Sequence, residues 1–119
     1  VLHVPYAPLD DLLPHCAAFV HHGGVGSMSQ AFAAGCPQLI MPLAHDQFDN
    51  AARVKTLGCG DSLVPAKFTA HRVATKLSQL LRSADVASAT KSVAARFHDR
   101  SGIHKSADAI ERRMMADAM

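Results

Sequence analysis

An apolar run from Ala17 to His21, a turn carrying Gly23, Gly24 and Gly26, and a small-residue stretch from Ser27 to Ala34 closed by Gly35 follow one another directly. Strand, glycine turn, helix is the reading of that order, because glycine supplies the backbone conformations a tight turn needs and a left-handed stop at a helix end. A second unit follows. Gln38 to Met41 reads as a strand bounded by Pro37 and Pro42, about Gln47 to Leu57 as a helix stopped at Gly58-Cys59-Gly60, and Ser62 to Val64 as a last short strand. Ahead of both, Val1 to Val4 reads as a buried strand ended by Pro5, and Leu9 to Leu13 as a short helix that Pro14 stops or kinks. Strands alternating with helices predict an α/β fold: a Rossmann-like parallel sheet with flanking helices and right-handed crossovers.

The second half is helical. Val73, Leu77, Leu80 and Leu81 repeat at helical spacing behind a cap at Thr69, Val86, Ala89, Val93 and Phe97 do so behind Asp85, and Ile103, Ala107, Ile110 and Met114 make a third stripe. All three read as packing faces that cover the sheet. At 119 residues with 49% apolar side chains, the chain can close one core and little more, so one domain is expected over residues 1–119. A formal charge of +2 without a cationic block gives no footprint for nucleic acid or an anionic membrane. Cys16, Cys36 and Cys59 are an odd set without a CxxC pair, which argues against a disulfide framework and a structural zinc site and suits a reducing cytoplasm. No apolar run approaches the roughly 20 residues of a membrane span, and no basic-then-apolar start resembles a signal peptide. It starts at Val1 inside an expected strand, which reads as a processed or excised piece.

Chemistry concentrates in two places. In HHGGVGS, His21 to Ser27, the turn lies where unpaired backbone N–H groups and the helix dipole face outward, a geometry that suits an anion. Gly24 and Gly26 remove side chains where phosphate oxygens would approach, while Ser27 and the ring of His22 can each donate a hydrogen bond. A plain tight turn has the same composition. Successive side chains of a strand alternate sides, so His21 is expected to pack inward while His22 faces a ligand. His15, His21, His22 and His45 have no recognised zinc-ligand spacing.

The second stretch is AHDQFDN, Ala44 to Asn50, just beyond the next strand and so at the same carboxyl edge of the sheet, where open parallel sheets bind ligands. Asp46 can accept two hydroxyl hydrogen bonds and Gln47 can donate and accept, the inventory needed to hold neighbouring sugar hydroxyls. Helix capping by Asp46 is the alternative. Asp49 and Asn50 read as first-turn or packing residues of that helix.

With YAP at Tyr6 to Pro8 ahead of them, these stretches resemble the donor-binding signature of family 1 glycosyltransferases, which include plant UDP-sugar transferases, sterol glucosyltransferases and bacterial antibiotic glycosyltransferases. The resemblance runs from about Tyr6 to Val54, and HHGGVGS followed by AGCPQLIMPLAHDQFDNAARV is most similar to the bacterial members. It implies that His22, Gly24, Gly26 and Ser27 hold the donor diphosphate and that Asp46 and Gln47 hold donor sugar hydroxyls. Tyr6 and Gln30 fall where plant members carry a base-stacking Trp and a ribose-binding Glu, so they are the implied nucleoside positions, both departing from the plant pattern.

The resemblance also implies the two-domain GT-B architecture, with this chain as a partial carboxyl-terminal domain that binds UDP- or dTDP-hexose for inverting transfer without a metal or other cofactor. The acceptor site and the catalytic base would lie on an amino-terminal domain not contained in this chain, which leaves no catalytic residue here and the chain inactive alone. Val1 to Val4 resembles the third strand of that domain, so the first two strands are expected to be absent. The sheet must then re-pair, leave an edge open or borrow from another copy, and an open edge favours self-association. Two other readings are a non-catalytic donor-binding subunit of a split glycosyltransferase and a dinucleotide-binding Rossmann domain. Against the latter, Pro42 and three further residues separate the strand from Asp46.

Overall fold

A computed structural model of the chain describes residues 1–97, 99 and 101–119. At its centre is a parallel sheet of three strands, β1 (Phe19–His21), β2 (Gln38–Ile40) and β3 (Gly60–Ser62), in that spatial order. Phe19, Val20 and His21 stand opposite Gln38, Leu39 and Ile40, which in turn stand opposite Gly60, Asp61 and Ser62. The chain crosses from β1 to β2 through α2 (Val25–Ala34) and from β2 to β3 through α3 (Gln47–Thr56). A short α1 (Leu9–Leu12) with a 3-10 turn at Leu13–His15 precedes the sheet, and α4 (Ala70–Arg82), α5 (Ala84–Ala95) and α6 (Gly102–Ala118) follow it.

The core follows from the central place of β2, whose residues are all buried. Leu39 and Ile40 point to opposite faces of the sheet. Ile40 meets Met28 and Phe32 of α2, Ala51 and Val54 of α3, and Val93 of α5, whereas Leu39 meets Leu63 and Leu80, with Val73 and Leu77 of α4 packed alongside. Leu13, Ala31 and Cys36 form a third cluster that seats α1 against α2. Gly35 ends α2 in the left-handed region at φ 66° and returns its N–H to the carbonyls of Ala31 and Phe32, so the expected glycine stop is present.

Val1 to Val4 forms no strand and lies exposed. A strand needs a neighbour for its N–H and C=O groups, and no described strand pairs with this segment. Among the described residues β1 pairs with β2 alone, which leaves the sheet open at that edge with Val20 42% exposed. The last strand begins at Gly60 rather than Ser62. A Cβ on Gly60 would strike the backbone carbonyl of Gln38, so this glycine permits the close approach of β3 instead of ending the helix before it. Thr69 caps α4 as expected, but the cap of α5 is Ser83, whose Oγ accepts from the Val86 N–H at 3.2 Å, with Asp85 in the first turn. The third apolar stripe stays out of the core: Ile103, Ile110 and Met114 are exposed, and α6 buries no residue because no described element covers it. Leu81 and Phe97, the last members of the first two stripes, are exposed as well. No helix among the described residues is long and apolar enough to cross a membrane.

Candidate functional site

β1 delivers its last residue, His21, to the carboxyl edge of the sheet, and the chain turns through His22, Gly23 and Gly24 into α2. The two histidines part as strand alternation requires. His21 lies inward with its ring stacked on Phe19 at 4.6 Å, its Nε2 2.8 Å from Gln38 Oε1, and its Nδ1 accepting the Gly23 N–H at 3.0 Å. Acceptance at Nδ1 places the proton on Nε2, where it donates to Gln38. His22 is exposed, and its ring covers Gly24 so closely that a Cβ there would lie 2.8 Å from Nε2. The missing side chain at Gly24 therefore makes room for the His22 ring. At Gly26 a Cβ would meet nothing within 4 Å, so that glycine faces open space.

Gly24 is the N-cap of α2 and supplies no side-chain acceptor. The first N–H groups of the helix, including those of Val25, Gly26 and Ser27, thus lack intrahelical partners and point out of its positive end. Ser27 is half-buried in this first turn, and Gln30 half-buried one turn further along. Tyr6 stands exposed ahead of α1, and no described hydrogen bond or ring contact ties it to either stretch.

After β2 the chain passes through a tight loop in which His45 takes a left-handed φ of 56°. Asp46 occupies the N-cap position of α3, yet makes no side-chain capping bond and has helical rather than extended dihedrals. Its carboxylate instead receives the Asn50 Nδ2 at 2.9 Å. Gln47 turns its Oε1 back to the N–H groups of Leu43 and Ala44, at 2.7 and 3.1 Å, so its oxygen is committed to the loop and its amide N–H groups remain to donate. Asp49 pairs with Arg53 in solvent, an exposed pair worth little.

The two stretches meet. Gly23, at φ 96°, is packed so that a Cβ would lie 2.8 Å from Ile40 Cγ2 and 3.2 Å from the Gln47 carbonyl, and its own carbonyl accepts the buried Asn50 amide at 2.9 Å. His22, Gly24, Gly26 and Ser27, beyond the end of β1, are thus joined to Asp46 and Gln47, beyond the end of β2, through the bonds of Asn50 to Gly23 and Asp46. A separate, shallow concavity of about 710 Å³ runs along β3 and α4, lined by Lys67 and Arg72 and by Asp61 with its partners Lys55 and Lys76. It contains no residue of His21–Ser27 or Ala44–Asn50. Asp61 is raised by burial but held below its usual value overall by the bond from Lys76 and the charges of Lys76 and Lys55, a pairing that guards an edge strand.

Burial lowers the pKa of His21 below 6.5, against the opposing bond to Gln38 and with the help of the nearby His22. The unfolded state then binds more protons than the folded one between the lowered value and 6.5, so this stabilisation is complete above 6.5 and declines as pH falls. Melting temperature is expected to drop between about pH 7.5 and about pH 5.5, and to drop less steeply in His21→Gln, which cannot be protonated. Parallel curves for both proteins would remove His21 as the source.

The family described as Erythromycin biosynthesis protein CIII-like, C-terminal domain, matches residues 1–109. Elloramycin glycosyltransferase ElmGT of Streptomyces olivaceus is 42% identical over 90 residues, which cover 75% of this chain and 22% of that protein. Among solved structures, spinosyn forosaminyltransferase SpnP is similar with a TM-score of 0.85 and 29% identity, over 94% of this chain and 30% of that one. Glycosyltransferase VinC, solved in complex with dTDP, is similar with a TM-score of 0.83 and 29% identity, over 92% of this chain and 28% of its own. The chain spans only 15% to 22% of the length of such curated relatives.

Proposed function

The chain belongs to the erythromycin biosynthesis protein CIII-like C-terminal domain family, and on that premise we propose that it holds the nucleotide-sugar donor, a dTDP- or UDP-hexose, of an inverting hexosyltransferase. The observation that carries this reading is the unpaired N-terminus of α2 beside the exposed His22 ring, with Asp46 at the next strand end tied to the same turn through Asn50. The likeness to VinC, which was solved with dTDP, supports a nucleoside diphosphate as the ligand. Gly24, Gly26, Ser27 and His22 receive the diphosphate, Asp46 and the free amide of Gln47 receive sugar hydroxyls, and Tyr6 and Gln30 are the nucleoside positions.

In direct displacement, an acceptor hydroxyl oxygen attacks the anomeric carbon and the bond from that carbon to the diphosphate oxygen breaks. Its electron pair leaves with the diphosphate, while a base on another domain takes the hydroxyl proton. This chain's part is the leaving group: the developing charge meets backbone N–H groups, the helix dipole and the His22 ring, fixed before the reaction begins. Those donors offset part of the diphosphate charge, and no metal ion is called for. The open edge of β1 is the surface through which copies of the chain would associate.

Calorimetry with dTDP, UDP and thymidine in EDTA tests the reading. Binding of a nucleoside diphosphate is expected without added metal. His22→Ala is expected to lose about 1.5 to 3 kcal/mol for the diphosphate, roughly ten- to a hundredfold, and almost nothing for thymidine. A requirement for magnesium, or equal losses for both ligands, would overturn it.

A further inference from the structure

We propose that Asn50 is a positioning residue that couples the two ends of the donor site, fixing the diphosphate turn and the sugar-facing carboxylate with one side-chain amide. Its Nδ2 carries two hydrogens and meets two acceptors: the Gly23 carbonyl at 2.9 Å and Asp46 Oδ2 at 2.9 Å. Both donors are used, and the side chain is buried, so neither bond is exchanged freely with water. Asp46 and Asn50 share a helix face at i and i+4, whereas Gly23 comes from a different loop 27 residues away in sequence. The amide is therefore a tie between loops.

Each bond sets a geometry that a donor would need. In a trans peptide the N–H lies on the opposite side from the C=O, so drawing the Gly23 carbonyl toward α3 turns the Gly24 N–H away from it. That N–H has no described partner, and it belongs to the turn beneath the His22 ring. The same bond holds a carbonyl dipole away from the place where an anion would sit. At the other end, engaging Asp46 Oδ2 leaves Oδ1 as the unengaged oxygen and fixes its direction. A hydroxyl that binds Asp46 competes for the charge that Asn50 shares, and the change reaches Gly23 through the same NH₂ group.

The inference rests on the donor-site reading for its ligand but not for its geometry, so the test has one arm in the free protein and one with ligand. In ¹⁵N-labelled protein, Asp46→Ala is expected to shift the Gly24 amide resonance, and to leave it in place when the background is Asn50→Ala. In the second arm, the ratio of dTDP-glucose to dTDP affinity is measured for Asp46→Ala, Asn50→Ala and the double variant. Asn50→Ala is expected to lower that ratio by about two- to tenfold, as much as Asp46→Ala does, and the double variant to lower it no further. Asn50→Leu keeps the side-chain shape without a charge or a donor, and it is expected to lose the coupling in both arms even where the alanine variant folds poorly. A Gly24 resonance that responds to Asp46→Ala equally in both backgrounds would overturn the proposal, as would equal, additive losses for both ligands. Absence of all nucleotide binding in the unaltered protein would instead reject the donor site and leave the resonance arm to decide the coupling.

Discussion

Gly60→Ala is expected to remove cooperative folding or lower the melting temperature by about 12 °C or more, the largest effect of any single methyl group in this chain. Gly60 stands opposite Gln38 in the β2–β3 register, and its added Cβ would overlap the Gln38 carbonyl oxygen, lie 2.8 Å from the Gln38 carbonyl carbon and 2.9 Å from Val54 Cγ1. The obstacle is backbone of the central strand, so no side-chain rotation relieves it. Moving β3 outward would stretch the bond from the Gln38 N–H to the Cys59 carbonyl, 3.0 Å long, and open the cluster in which Val54 and Cys59 are fully buried. Overpacking a tight core costs about 1 to 3 kcal/mol, and here lost ladder bonds are added, against a typical total of about 5 to 15 kcal/mol. Gly26→Ala is the matched control. Its Cβ meets nothing and it lies inside α2, so it should be neutral or slightly stabilising. Thermal denaturation followed by circular dichroism separates the two, and a Gly60→Ala protein melting within a few degrees of the control would show that β3 is not held where we describe it.

Gly60 also marks where sequence reading stops. A glycine between a helix and a strand carries the same letter whether it ends the helix or lets a backbone approach, and only the partner strand decides; the first strand of the chain failed for the converse reason. Val1 to Val4 has the composition of a strand, but no strand among the described residues stands beside it to receive its hydrogen bonds. Local signals fared better. The stop at Gly35 and the cap at Thr69 depend on neighbours in sequence, and both are in place, whereas the glycine turn is shorter than expected: it ends at Gly24, and α2 begins at Val25 and takes in Gly26. The inward His21 and outward His22 follow from the period of a strand alone.

At the candidate site, the sequence placed the two stretches at one sheet edge but did not reveal how they are joined. Asn50 reads as a packing residue of α3, and its i, i+4 relation to Asp46 was the available signal. Its bond to Gly23 was not available, because nothing local links positions so far apart. Gln47 differs in a similar way. Its residue type offers a donor and an acceptor to a sugar, but the loop from Leu43 takes the acceptor, since two N–H groups there would otherwise lack a partner.

Gly23→Ala is expected to disable nucleotide binding by more than about tenfold while leaving a folded, less stable protein, because the strain falls on the turn itself. Three constraints converge on this residue. Its φ of 96° lies in the region that L side chains rarely adopt, which costs about 1 to 3 kcal/mol for any other residue. Its N–H donates to His21 Nδ1 and its carbonyl accepts from Asn50, so the peptide planes on both sides are fixed and cannot rotate to relieve the strain. The new Cβ would also press on Ile40 Cγ2 at 2.8 Å and on the Gln47 carbonyl at 3.2 Å. Ile40 is buried among α2, α3 and α5, so the smaller displacement is of the turn away from β2. That movement carries Gly24 and the first N–H groups of α2 with it, and breaks alignment with Asp46. Unlike Gly60→Ala, whose obstacle is a central strand, the damage stays in a surface loop, and the sheet register is expected to survive. Calorimetry with dTDP, alongside amide resonances of Leu39 and Val54 as reporters of the intact core, measures both halves of the claim. Undiminished dTDP affinity with the core intact would place the diphosphate somewhere other than this turn.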